Sequence, residues 1–182
     1  MPLSVDDLEN KVKTMLMEKT SESTAEALTK QLIRGSKAGG EFGDKELDQW
    51  YSSLKFQLVW LDCDDYTRAL VRAIWLAPRF AATDFGGSRQ RDLAQIWTDT
   101  ARGFLGEIGV QKFFHERLKI RLKLSTKRGP LENFLSSDIE EVSSLESKPR
   151  APKLNISIKT TKFNGRWLDL PGAQIEHSDV FI

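Results

Sequence analysis

The sequence predicts an α+β protein: a helical N-terminal region followed by an α/β core. Three observations predict it. Apolar residues recur at helical spacing up to about residue 118. The period then changes to two, as Ile120, Leu122 and Leu124 alternate with Lys119, Arg121 and Lys123. The cleanest alternation lies near the end, in Leu154-Asn155-Ile156-Ser157-Ile158-Lys159, where apolar and polar side chains fall on opposite faces of a strand.

The elements follow in order. Residues 4 to about 34 read as helix: Ser4, Asp6 and Asp7 supply a cap and first-turn acids, and Leu8, Val12, Met15 and Leu16 recur on one face. Ser21 to Thr24 interrupts, and Ala25, Leu28, Leu32 and Ile33 begin a second face. Gly35 to Gly43 is a loop. Asp44 caps a helix carrying Leu47, Trp50, Tyr51, Leu54 and Leu58. Asp62 to Asp65 starts another, with Leu70, Val71, Ile74, Trp75 and Leu76, and Pro78 near its end. Trp50, Trp60, Trp75 and Trp97 are read as core residues on helices. Ala81 to Ser88 is a loop, and a long helix runs from about Arg89 to Leu118, with Gly103 as a point of bending. Phe134 to Val142 is a short strand and Leu154 to Lys162 a longer one. Asn164-Gly165 and Asp169 to Gly172 are turns, and Asp179 to Ile182 begins a last strand. The composition divides the chain into residues 1–88 and 89–182.

The 182 residues suffice for one core of ordinary size, and 40% apolar with 29% charged residues describes a globular chain. No stretch approaches a membrane span and the N-terminus lacks signal-peptide character, so a cytoplasmic protein is expected. Cys63 is the single cysteine; with only His115 and His177 beside it, a structural zinc site is disfavoured. Net charge is +1, but from Ala101 onward 14 Lys/Arg face 10 Asp/Glu, against 13 and 16 before it. Basic residues are densest at Lys112, Arg117, Lys119, Arg121, Lys123, Lys127 and Arg128. Such a stripe meets phosphates or guards a strand edge.

Three residues stand out chemically. Glu107 lies in Gly103-Phe104-Leu105-Gly106-Glu107-Ile108-Gly109, where two glycines three apart let the helix approach a sheet or a DNA backbone. Its alternative is an exposed helical glutamate. Asp138 shares a strand face with Glu140, with Ile139 toward the core; its alternative is a cap or turn aspartate. Lys159 sits on the polar face of the clearest strand, suited to a scissile phosphate or to a snorkelling edge position.

A helix glutamate, then an aspartate, then a strand lysine resembles the PD-(D/E)xK nuclease superfamily, the restriction-endonuclease-like fold, over about residues 101 to 182. The resemblance implies a mixed sheet flanked by helices and a metal-dependent DNA endonuclease of the type II restriction-enzyme kind. Glu107 and Asp138 would hold Mg²⁺, with Mn²⁺ as substitute, and Lys159 would be the catalytic lysine. Ser157 stands where the family's last motif has an acid, and Ser137 where it has proline. Glu107 is expected to fill the vacated acid position, with Glu176 as the alternative. Lys123, Lys162, Arg166, Gln174 and His177 are expected to contact nucleic acid. Cutting both strands of double-stranded DNA implies a homodimer. The chain stops at Val180-Phe181-Ile182, where such a core ordinarily continues, which reads as truncation at the C-terminus. Two other readings stay open: a non-catalytic DNA-binding or assembly protein on a degenerate nuclease fold, and a helical interaction module. All of the nuclease reading requires three side chains distant in sequence to converge.

Overall fold

A computed structural model describes residues 5–36, 44–81, 92–126, 137–144, 146–161 and 172–182. It is a mixed α+β structure, with six helices and two small two-stranded sheets among the described residues. The chain forms two compact units, Met1–Leu58 and Val59–Ile182.

The first unit is helical. It contains α1 (Val5–Met17), α2 (Glu22–Ser36) and α3 (Asp44–Gln57). Leu8, Val12 and Leu16, each four apart, are buried on one side of α1, as the spacing predicts. Ser21 breaks the run as a cap: its hydroxyl accepts from the Thr24 amide at 3.4 Å. Ala25 and Ile33 of α2 and Leu47 of α3 complete the buried set.

The second unit begins with α4 (Cys63–Ala81) and α5 (Leu93–Leu118). The start of α4 is fixed twice over. Asp62 Oδ1 accepts from the Asp65 amide at 3.0 Å, and Asp65 Oδ2 accepts from the Asp62 amide at 2.9 Å, a reciprocal capping pair. Lys112 of α5 binds both carboxylates and so ties the two helices together. Asp92 caps α5 by accepting from the Gln95 amide at 2.7 Å. Lys119 ends α5 in the left-handed region at φ 58°, returning its amide to the Phe114 carbonyl. The 26-residue helix passes through Gly103 without a break.

Strands β1 (Ile120–Leu124) and β2 (Ile139–Ser144) pair antiparallel, Leu122 opposite Val142. Strand β3 (Ile156–Ser157) pairs in parallel with β4 (Val180–Phe181), Ile156 opposite Val180, and α6 (Gly172–His177) lies between them in sequence. Backbone hydrogen bonds join the two sheets at Asp138. Its carbonyl accepts from the Ser125 amide and its amide donates to the Ile156 carbonyl, both at 2.8 Å. The shared core draws on both helices and both sheets: Ala69, Ala73 and Leu76, then Ala101, Phe104 and Ile108, then Leu122, Leu124, Ile139 and Ile158.

Several expectations change. Of the strand expected over Leu154 to Lys162, the described residues are regular only at Ile156–Ser157, where the Ile158 amide is taken by a side chain and Leu154 is 50% exposed; Lys162 lies outside them. Helix α6 follows the turn expected at Asp169 to Gly172, of which residues 169–171 lie outside the described residues, and parallel pairing of β3 with β4 requires such a longer connection rather than a hairpin. Asn164-Gly165, Lys127, Arg128 and Phe134 lie outside the described residues. Helix α4 packs against α5, so the compact units divide at Leu58, not at residue 88. Trp75 is 65% exposed on α4 and does not belong to the core, and Trp60 precedes α4 rather than lying on a helix. No helix among the described residues is long and apolar enough to cross a membrane.

The two glycines of α5 behave differently. A Cβ added at Gly103 meets nothing within 4 Å, whereas one at Gly106 overlaps Thr160 Oγ1 and lies 3.1 Å from Thr160 Cβ. Gly103→Ala is therefore expected to stabilise the protein by about 0.5–1 kcal/mol through helix propensity. Gly106→Ala is expected to destabilise it by about 1–3 kcal/mol, since the helix and the chain after β3 must separate. Urea unfolding of the two variants checks the contrast; equal stabilities would remove the close approach from the account.

Candidate functional site

Glu107, Asp138 and Lys159 are drawn together by contacts of their immediate neighbours. Gly106 lies against Thr160, which brings the residue after one next to the residue before the other. Asp138 is joined to the same segment by its side chain. Its Oδ2 accepts from the Ile158 amide at 2.6 Å and from the Ser157 hydroxyl at 3.3 Å. Ser137 reinforces the junction: its hydroxyl accepts from the Ile156 amide at 3.2 Å and donates to the Ile139 carbonyl at 2.9 Å. The Lys159 amide donates to the Ile182 carbonyl at 2.8 Å, which continues the parallel ladder past Ser157. On the polar face of the predicted strand Ser157 is buried and Lys159 half-buried, while Asn155 is exposed.

The electrostatics reflect this convergence. Burial pushes the Glu107 carboxyl up to about 7, and the negative charge of Asp138 adds to the rise; Arg72 and Lys159 oppose it. Burial raises Asp138 as well, against the Ile158 amide, Lys159, Ser157 and Arg72, which favour its anion. Lys159 is lowered by burial, while Asp138 and Glu107 hold its proton. Glu107 and Lys159 each sense the other two residues and Asp138 senses Lys159, although Lys159 makes no direct ion pair with either carboxylate among the described residues.

Arg72 is the partner that sequence reasoning missed. It comes from α4, in the part of the chain outside the resemblance. Its Nη1 donates to Glu107 Oε2 at 2.9 Å, its Nη2 donates to the Ser125 carbonyl, and its guanidinium lies 3.9 Å from the centre of the Phe104 ring. The Glu107 side chain is only 13% exposed, so this is a largely enclosed ion pair and not an exposed helical glutamate. The signal available was modest: Arg72 is the one charged residue in the apolar run Ala69 to Ala77, where a cation needs a counter-charge.

The expected nucleic-acid contacts are scattered. Lys123 is exposed but pairs with Glu141 at 2.6 Å and Glu140 at 3.6 Å, opposite it across β1 and β2. His177 and Glu176 are exposed on α6. Gln174 lies on α6, and its side chain is outside the described set, as are Lys162 and Arg166 altogether. Lys112, grouped by sequence with the basic stripe, is committed to the Asp62 and Asp65 caps.

Among the described residues no three His, Cys, Asp or Glu side chains cluster as a ready ligand set. Two oxygen donors remain. Asp138 uses Oδ2 and Glu107 uses Oε2 in hydrogen bonds, which leaves Oδ1 and Oε1 in none among the described residues. A pair of carboxylates fits Mg²⁺, which keeps several waters and commonly takes one or two protein carboxylates with substrate phosphate. No family model matches the chain, and neither a curated protein nor a solved structure matches it.

The raised Glu107 carboxyl has a consequence for stability. Below 4.5, its ordinary value, folded and unfolded chains both hold the proton. Between that value and about 7 only the folded chain holds it, so this group's contribution falls as pH rises and is fully lost above about 7. Glu107→Gln is expected to gain in melting temperature over the wild type as pH goes from 5 to 8, measured by calorimetry in EDTA. A difference independent of pH would show that burial of Glu107 does not perturb it.

Proposed function

We propose that this protein is a metal-dependent DNA endonuclease, a phosphodiesterase of the restriction-enzyme-like kind acting on double-stranded DNA. The observation that carries the reading is the seating of Asp138 on the Ile158 amide, one residue before Lys159, with Glu107 held within electrostatic reach of both. The three residues come from α5, the approach to β2 and the end of β3, in the order that the resemblance to the PD-(D/E)xK superfamily requires.

Roles follow from the contacts. Asp138 and Glu107 present carboxylate oxygens to Mg²⁺, or to Mn²⁺ in its place. The bound ion would polarise the phosphate and lower the pKa of its water. Lys159, with its proton destabilised by burial, orients the attacking water or neutralises the charge that develops on the phosphate. Ser157 sets the rotation of Asp138, and Arg72 holds Glu107 in place. A homodimer supplies the two sites that a double-strand cut needs.

A second reading has specific support. Ser157 occupies the acid position of the last motif, and one of the two remaining carboxylates is already paired with Arg72. Both facts favour a DNA-binding or assembly protein that has lost catalysis. Calorimetric titration separates the two: the nuclease binds Mg²⁺ through a saturable site that Asp138→Ala removes, and the inactive protein shows none.

Nicking of supercoiled plasmid with Mg²⁺ or Mn²⁺ tests the chemistry. Lys159→Ala and Asp138→Ala are each expected to lower the rate by about 10²–10³-fold, and Lys159→Ala should leave DNA retention on filters largely unchanged. Full cleavage by either variant would falsify the assignment.

A further inference from the structure

Helix α4 is apolar on two faces. Between Ala69 and Ala77 its one charged residue is Arg72, which pairs with Glu107. One face joins the shared core through Ala69, Ala73 and Leu76. The other carries Tyr66, Leu70, Ile74 and Pro78, all exposed and each four residues from the next, with Val71 exposed beside them. A helix that is hydrophobic all round is ordinarily buried, so the second face calls for a cover. Beside it, α4 and the start of α5 border an open groove of about 480 Å³, lined by Ile74, Ala77, Pro78, Leu93, Ala94 and Trp97. We propose that this face is a dimer interface: α4 packs antiparallel on α4 of a second copy of this chain, and Tyr66 of each copy enters the groove of the other.

Symmetry, area and charge select a second copy as the occupant. The spacing of the ridge is symmetric about residue 72. Turned end for end, it sets Leu70 of one copy against Ile74 of the other, and Tyr66 against Pro78, which lines the groove. Knob and socket thus lie on one surface at matching distances from a two-fold axis, as an isologous interface requires. Rows of residues four apart are also the ridges that interdigitate in the commonest class of helix packing. Tyr66 is 48% exposed and Ile74 58%, and Leu70, Val71 and Leu93 are exposed as well. Such side chains leave roughly 100 Å² each uncovered. Two copies would then bury about 1,000 Å², where specific interfaces begin. Neither the ridge nor the described lining of the groove carries a charge, so the face suits an apolar surface like itself and offers a phosphate backbone no counter-charge. The inference stands apart from the nuclease reading, since it needs neither metal nor DNA.

Sedimentation velocity of the full chain in EDTA, without DNA, tests the interface. The wild type is expected to be dimeric at about 10 µM. Tyr66→Ala should raise the dimer dissociation constant by about tenfold or more. Ile74→Glu should leave a monomer at the same concentration, because it would bury an unpaired charge. Far-ultraviolet circular dichroism of both variants should match the wild type, since both side chains are exposed in the single chain. Cross-linking reads the register without a weakened variant. In Cys63→Ser/Val71→Cys a short bismaleimide should join two copies, since residue 71 lies beside the axis. In the wild type the same reagent should leave the exposed Cys63 unjoined, because antiparallel pairing separates its two copies by about 27 Å along the helix. A wild type that stays monomeric, a dimer that Ile74→Glu leaves intact, or linkage through Cys63 in place of residue 71 would overturn the proposal. Plasmid nicking in Mg²⁺ is scored separately: inert protein that pairs through residue 71 removes the nuclease and keeps the interface.

Discussion

The bond between the Asp138 carboxylate and the Ile158 amide is the constraint on which the rest of the second unit depends. A backbone N–H at that depth must find an acceptor, and in an ordinary ladder a neighbouring carbonyl would supply it. Here a charged side chain does so at 2.6 Å. A charge-assisted bond of this kind is stronger than the backbone bond it replaces. It ends the regular part of β3, aligns β2 with the segment after it, and fixes where Lys159 begins. The same residue joins the sheets through its own amide and carbonyl. Asp138 is therefore a structural residue in its own right, and its removal costs the alignment of the two sheets.

Helix α5 must then come close enough for Glu107 to face that junction. Gly106 makes this possible, because the space a side chain would need is filled by Thr160. Bringing a carboxylate into an apolar layer carries a desolvation cost, visible in the rise of its pKa to about 7. Arg72 offsets that cost from α4, and its own charge rests on the Phe104 ring and the Ser125 carbonyl. The ion pair explains why α4 belongs to the second unit. A helix that supplies both apolar contacts (Ala69, Ala73, Leu76) and the counter-charge of an enclosed carboxylate cannot be detached from the sheet it serves.

What the sequence disclosed followed from period and caps. Leu8, Val12 and Leu16 marked α1, Asp62 and Asp65 marked the start of α4, and the alternation after Lys119 marked β1. Gly106 was legible as a close approach, though its neighbour Gly103, of the same type and on the same face, touches nothing. Local sequence does not say which glycine meets a strand fifty residues away. The length of β3 was misread for a related reason. Alternation describes where side chains point, and it is silent on whether the acceptor for the Ile158 amide is a carbonyl or Asp138. Helix α6 was hidden because Gly172 to His177 is short and lacks a periodic apolar face. Trp75 was misplaced because an aromatic ring on an amphipathic helix counts as core in any hydrophobicity pattern, while burial depends on what the rest of the chain brings to that face.

The charge arithmetic of the site limits what it can accept. Two carboxylates, one lysine and one guanidinium sum to zero when all are ionised, yet burial disfavours the charged form of Glu107, Asp138 and Lys159 alike. Asp138 is the better-defended anion, since two fixed donors stay with it whatever the protonation of its neighbours. Glu107 depends on one side-chain partner, Arg72. A divalent cation at the free oxygens would make the site strongly positive, so it is favoured only together with an anion such as a phosphodiester. A cation would also compete with Arg72 for Glu107, so the Arg72–Glu107 pair and a cation at that carboxylate exclude one another.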